Sequence, residues 1–224
     1  MVCRPWLIIP VKSLSLVKSS MQGHLSPDER RRLMIAMLSD VLAAAKRSKT
    51  IEKICVLSPD PEVLALAEDA GATPVREPGL DLNPAIEFAI GLAKRSGADS
   101  VLIIPADIPL ISGEDIDGVV SMADEDRVMV ISPSKDNGTN ALLLRPPDLI
   151  PPRFGGESFP AHLRQAARAG AHIRIYRSEN IAHDIDRPAD LLRVKVFAPA
   201  SKTSEFLSAL EGQGVLEDKV NPKG

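Results

Sequence analysis

"VLIIPADIPLIS", residues 101–112, places an aspartate between two prolines directly after a run of branched apolar residues. The run 101–104 has the unbroken apolar character expected of a strand covered on both faces. Ser112 and Asp115 then open a helix, so Asp107 falls in a loop beyond the carboxyl end of a strand. A carboxylate in that place is solvated, caps a turn or holds something positive. What surrounds the stretch narrows these choices.

Further strand-like runs occupy 6–11, 54–57, 128–131, 141–144 and 172–176, and most of them are separated by helices. Ser26-Pro27-Asp28-Glu29 combines an N-cap serine, a proline at the first helical position and a capping-box glutamate. Leu33, Met34, Met37, Leu38, Val41 and Leu42 follow at helical spacing. Asp60-Pro61 starts a second helix closed by Gly71, and Asn83-Pro84 starts a third closed near Gly97. Such alternation predicts a largely parallel sheet with helices on both sides, with ligands gathering beyond the carboxyl ends of the strands.

After Val128 two strand candidates follow one another across "SPSKDNGTN", which makes part of the sheet antiparallel. The predicted class is therefore α/β, a single domain with a mixed, mostly parallel sheet flanked by helices. The tail from Val196 has one short amphipathic stretch, 204–210, and is expected to pack loosely. No internal repeat or low-complexity segment occurs.

A chain of 224 residues, 44% apolar and 25% charged, has the balance of one soluble globular domain. Its 27 basic and 30 acidic residues leave a net charge of −3, with no electrostatic footprint for nucleic acid. The apolar segment 6–11 is too short for a membrane span or a secretory core, so a cytoplasmic protein with no membrane partner is expected. Cys3 and Cys55 suggest neither a disulfide framework nor a thiolate zinc site.

Several familiar sites are absent. No G-x-G-x-x-G follows a strand, and the G-x-x-x-x-G of 113–118 continues Val-Val where a Walker A loop needs Lys-Ser/Thr. His24, His162, His172 and His183 lack metal-ligand spacing and read as surface or core imidazoles. What remains is Asp107 in "PADIPL" with Asp184 and Asp186 in "AHDIDRPADL". Two aspartates one residue apart in an extended segment point to the same side and can face one cation, and oxygen ligands suit magnesium. The simpler alternative is that Asp186 caps the helix near Pro188 and Asp107 stabilises a turn.

Lys12 and Lys18, in the loop after the first strand, are phosphate-binding candidates, although loop lysines are usually only solvated. "DNGTNALLL" and "FGGESF" bring backbone N–H groups and the hydroxyls of Thr139 and Ser158 to where an anion could lie; the alternatives are a hairpin turn and a helix N-cap. Together these residues suggest nucleotide phosphate chemistry. A phosphate monoester, with a second pKa of about 6, is ionised at neutral pH and needs no general base to attack phosphorus.

"PVKSLSLVKSS", "LSPDERRRLMIAMLSDVL", "LNPAIEFA", "VLIIPADIPLIS", "ISPSKDNGTNALLL", "FGGESFPAHLRQAARAG" and "HDIDRPADL" stand in the order and spacing of the 2-phospho-L-lactate guanylyltransferase family. The chain resembles that family over residues 7–192. The resemblance implies a GT-A-like nucleotidyltransferase fold over residues 1–195, with 196–224 as a tail carrying one short helix. It implies transfer of GMP from GTP to a three-carbon phospho-acid (2-phospho-L-lactate, phosphoenolpyruvate or 3-phosphoglycerate), with release of pyrophosphate, in biosynthesis of coenzyme F-420.

By the same resemblance Asp107, Asp184 and Asp186 match metal aspartates for Mg2+, and Asp107 and Lys18 match catalytic positions. Lys12, Lys18 and Asn83 match the nucleotide side, while Thr139, Gly155 and Ser158 match positions that hold the phospho-acid. The first loop departs from the family's A-K-S-R-L: Ser20 and Met21 replace its arginine and leucine, removing a planar fork that can hold two phosphate oxygens. Two other functions stay open, a nucleotidyltransferase for another phosphorylated acceptor and a catalytically silent nucleotide-binding relative. An apolar strand edge or the tail could support a homodimer.

Overall fold

The computed structural model describes residues 3–15, 21–77, 79 and 81–212. Its elements, in chain order, are β1 (Trp6–Pro10), α1 (Pro27–Arg47), β2 (Lys53–Ser58), α2 (Pro61–Asp69), β3 (Thr73–Arg76), α3 (Leu82–Arg95), β4 (Val101–Ile103) and α4 (Gly113–Ser121). The second half contains β5 (Val128–Pro133), β6 (Thr139–Arg145), α5 (Ser158–Arg168), β7 (His172–Ile175), α6 (Glu179–Ala182), α7 (Pro188–Phe197) and α8 (Lys202–Gly212).

The strands form one sheet in the order β3-β2-β1-β4-β6-β5-β7. Neighbours run parallel except at β6, which is antiparallel to both β4 and β5. The mixed, mostly parallel sheet read from the sequence is therefore borne out. Its apolar runs are continuous because both faces are covered. Leu7, Ile9, Leu102, Val130 and Leu143 pack under α1, α2, α4, α7 and α8. Ile8, Ile103, Met129, Ile131 and Leu142 face α3 and α5 on the opposite side.

Local signals place the helix starts. Ser26 accepts from the Glu29 N–H and the Glu29 carboxylate accepts from the Ser26 N–H, closing a capping box at α1. Ser112 and Asp115 do the same at α4. At α3 the helix begins at Leu82 under Asp81, one residue ahead of Asn83-Pro84, so Asn83 sits inside the first turn with its amide available for another task.

Two features depart from the sequence reading. β3 was not anticipated, because four half-exposed residues that include Pro74 carry little strand signal, and an edge strand tolerates such residues. The tail is not loose over 202–212. Phe206, Leu207 and Leu210 are buried in the core layer that also holds the apolar face of α1. The Asp40 carboxylate of α1 accepts from the N–H groups of Lys202 and Thr203 and from the Thr203 hydroxyl, capping α8 from across the fold. Lys195 and Glu211 pair α7 with α8. A cap supplied from a distant helix leaves no trace in the local sequence.

Candidate functional site

A cavity of about 490 Å³ opens where β1 and β4 end and β6 begins. Because β6 runs against its neighbours, its first residues, Thr139 and Asn140, lie at the same edge as the carboxyl ends of β4 and β5. That edge is where ligands bind in open α/β sheets. Lys12, Asp107, Thr139, Gly155, Ser158, Asp184 and Asp186 all line this cavity. Lys12 also lines an adjoining cavity of about 330 Å³ with Leu57, Glu77 and Asp81. Lys18 and Ser20 lie outside the described residues.

Asp107 follows β4 in a turn, and its carbonyl accepts from the Ile185 N–H at 2.9 Å. This bond draws the segment after α6 to the end of β4. Ile185 is fully buried, and the aspartates on either side of it line the cavity. Asp186 does not cap α7: the N-cap is Arg187, and Asp190 reaches back to accept from the N–H groups of Asp186 and Arg187 at 3.0 and 2.7 Å. Lys135, in the β5–β6 loop, donates to Asp190 at 2.7 Å. Burial opposes ionisation of Asp190, but Lys135 and the two N–H groups outweigh it and hold the carboxyl below its usual range.

Asp184 behaves in the opposite way. Burial, followed by the negative charges of Asp186 and Asp107, pushes its carboxyl up to about 6. Among the described residues no three acidic, histidine or cysteine side chains stand as a ready metal cage. Asp107, Asp184 and Asp186 are the residues that could hold a cation such as magnesium, which binds through one or two carboxylates and completes its shell with water and substrate phosphates. A cluster of mutually repelling carboxylates, all hard oxygen donors, is relieved by such a cation.

The rest of the cavity is lined by small and hydroxyl-bearing residues, among them Ser134, Gly138, Thr139, Gly155 and Ser158. In the β5–β6 loop Asn137 has φ +61°, and the Gly138 N–H donates to Ser134 Oγ at 2.8 Å. A Cβ at Gly138 would lie 2.7 Å from that oxygen, so any larger residue would turn the Ser134 hydroxyl aside and cost this bond. Gly155, at φ +134°, occupies a region that side chains rarely adopt. It turns the chain into α5, whose N-cap Glu157 makes no side-chain cap bond. Ser158 is buried at the first helical position and donates to Thr139 Oγ1 at 3.1 Å.

Asn83 does not line either cavity. Its amide makes a closed pair with the Phe154 main chain: Nδ2 donates to the carbonyl at 3.0 Å and Oδ1 accepts from the N–H at 2.7 Å. Asn83 thus pins the strand of chain that leads into Gly155. Sequence reasoning also missed Asn140, which donates to the Ile181 carbonyl at 2.8 Å and reaches Asp184 at 3.5 Å. Its position beside Thr139 in the "GTN" motif was the available signal.

The chain matches the family described as "Guanylyl transferase CofC like" over residues 6–219. It is 40% identical, over 88% of its length and 96% of the relative's, to the phosphoenolpyruvate guanylyltransferase of Sphaerobacter thermophilus. The chain belongs to this guanylyltransferase family.

This guanylyltransferase is also 33% identical to the 2-phospho-L-lactate guanylyltransferase of Methanocaldococcus vulcanius, over 91% of the chain and 90% of that protein. Its fold matches a structure from Desulfovibrio desulfuricans G20 described as a nucleotide-diphospho-sugar transferase, with a TM-score of 0.78, 19% identity and coverage of 97% and 98% of the two chains. A cytidylyltransferase from Leptospira borgpetersenii matches with a TM-score of 0.60 and 15% identity, over 100% of both chains. At such identities these likenesses speak for the fold alone, a mixed, mostly parallel sheet flanked by helices that is shared with nucleotidyltransferases. Among the described residues no helix is long and apolar enough to cross a membrane.

Proposed function

We propose that this enzyme transfers GMP from GTP to phosphoenolpyruvate or 2-phospho-L-lactate, releasing pyrophosphate, as a cytoplasmic step of coenzyme F-420 biosynthesis. The observation that carries the reading is the single cavity in which Thr139, Gly155 and Ser158 offer an anion cradle beside the carboxylates of Asp107, Asp184 and Asp186. The adjoining cavity shares Lys12 and gives room for a nucleoside next to the acceptor. Higher identity to the phosphoenolpyruvate enzyme, 40% against 33%, favours that acceptor.

In the proposed reaction an oxygen of the acceptor's phosphate attacks the α-phosphorus of GTP. A new P–O bond forms as the bond to the pyrophosphate oxygen breaks, and pyrophosphate leaves with the electron pair. No base is needed, because the attacking phosphate is already ionised at neutral pH. Lys12 offsets charge on the triphosphate, and Thr139 with Ser158 and the start of α5 orients the acceptor. Magnesium held by Asp107, Asp184 and Asp186 would supply charge neutralisation between the two anions.

The test is pyrophosphate release by the purified protein with magnesium, crossing the four common nucleoside triphosphates with phosphoenolpyruvate, 2-phospho-L-lactate, 3-phosphoglycerate and a sugar phosphate. Release with GTP and phosphoenolpyruvate is expected to exceed every other pair. Turnover with a sugar phosphate, or silence in folded protein, would overturn the reading. For Asn83→Ala, loss of the two bonds to Phe154 is expected to raise the acceptor KM about tenfold and the GTP KM much less. An increase confined to the GTP KM would instead place Asn83 at the nucleotide.

A further inference from the structure

Under the cavity floor lies a group that the proposed reaction does not use. His162, on α5, is fully buried and stacks edge-on against Phe154, with ring centroids 5.2 Å apart. Its Nε2 accepts from the Arg153 N–H at 2.9 Å, so that nitrogen carries no proton. In a neutral imidazole the proton then sits on Nδ1, which lies 3.1 Å from Thr139 Oγ1 and donates to it. Burial lowers the pKa of His162 to about 4, which keeps the ring neutral in ordinary buffer.

Thr139 Oγ1 therefore accepts from two sides, from His162 Nδ1 and from the Ser158 hydroxyl at 3.1 Å. A hydroxyl has two acceptor sites and one proton. With both acceptor sites filled from beneath and beside, the Thr139 proton turns away from them, toward the cavity that the residue lines. A hydroxyl locked as a donor favours an anion over a neutral or cationic group.

We propose that His162 is a positioning residue for acceptor binding: the N–H of Arg153 fixes its tautomer, and its Nδ1 proton fixes Thr139 as a donor to the anionic acceptor. The proposal rests on the reading that Thr139 and Ser158 hold the acceptor. It differs from a plain packing role in a way that two substitutions separate. Asparagine places an amide nitrogen where Nδ1 stands, whereas glutamine places an amide oxygen near Nε2.

The experiment measures acceptor and GTP KM values, with thermal stability, for the full-length wild type, His162→Asn and His162→Gln. His162→Gln, which can still accept from the Arg153 N–H but gives nothing to Thr139, is expected to raise the phosphoenolpyruvate KM about tenfold with the GTP KM unchanged. His162→Asn is expected to melt lower, because Arg153 loses its acceptor, yet to restore the acceptor KM to within about threefold of wild type. KM values that follow melting temperature, or that rise for both substrates alike, would assign His162 to packing and overturn the proposal. Wild-type turnover with His162→Gln unchanged in acceptor KM sinks the His162 assignment alone. A wild type that turns over no acceptor sinks the underlying reading and this proposal with it.

Discussion

Asp107→Asn is expected to lower the rate of pyrophosphate release at saturating GTP and acceptor by about a thousandfold, with the melting temperature little changed. The scale follows from a metal's stabilisation of transition-state charge, worth several kcal/mol, with each factor of ten equal to about 1.4 kcal/mol. The bond that draws the segment after α6 to this residue is made by its main chain, whose carbonyl receives the Ile185 N–H, so the substitution leaves that bond in place. Asparagine keeps that bond and the volume of the side chain while removing a charge. Activity within tenfold of wild type would remove Asp107 from the machinery and move the metal assignment to other oxygen donors.

The second large effect is on stability. Asp184 has its folded pKa pushed from 3.8 to about 6, chiefly by burial and then by Asp186 and Asp107. Between those values the folded protein holds a proton that the unfolded chain does not. This contribution therefore favours the folded state as pH falls from about 7 toward 4, and it is a penalty above pH 6. Each pKa unit is worth about 1.4 kcal/mol, and because this side chain is only partly buried, solvent screening leaves a penalty on the order of 1–2 kcal/mol.

Removing the charge with Asp184→Asn, in chelator, is expected to stabilise the protein by that order at pH 7.5, with the gain shrinking as pH approaches 4. Saturating magnesium should reverse the comparison by stabilising wild type more than the variant. Urea unfolding of both proteins across this range checks the sign, and a variant less stable than wild type at pH 7.5 without metal would contradict it.

The comparison has to be made between the two proteins because His162 works the other way. Its folded pKa is lowered by burial from 6.5 to about 4. The unfolded chain takes up that proton first, so this contribution loses stability as pH falls from about 6.5 toward 4. In wild type the two residues partly cancel, and a flat profile there would conceal both. A carboxylate cluster that destabilises its own fold is the expected signature of a site built to hold a cation.

Much of the architecture was legible because its signals are local. The boxes Ser26/Glu29 and Ser112/Asp115 announce α1 and α4 within four residues, and the apolar runs of β1, β4, β5 and β6 identify strands covered on both faces. The tight loop between β5 and β6 marked the antiparallel turn, and with it the place where Thr139 and Asn140 meet the ends of the parallel strands. β3 escaped notice because an exposed edge demands little of its side chains. Asn83 was matched by motif to the nucleotide side, but its partner, Phe154, lies 71 residues away.

From the order of its residues alone this chain declares an α/β sheet with acidic and hydroxyl groups at the strand ends, since helical caps and the two-residue strand period are properties of neighbours in sequence. Folding in space settled what those groups do to one another. It pushed the Asp184 carboxyl upward, directed the Thr139 hydroxyl through His162, and capped α8 with Asp40 from 162 residues away. Desolvation and hydrogen-bond partnership depend on distance through the fold, which the spacing of residues along a chain does not record.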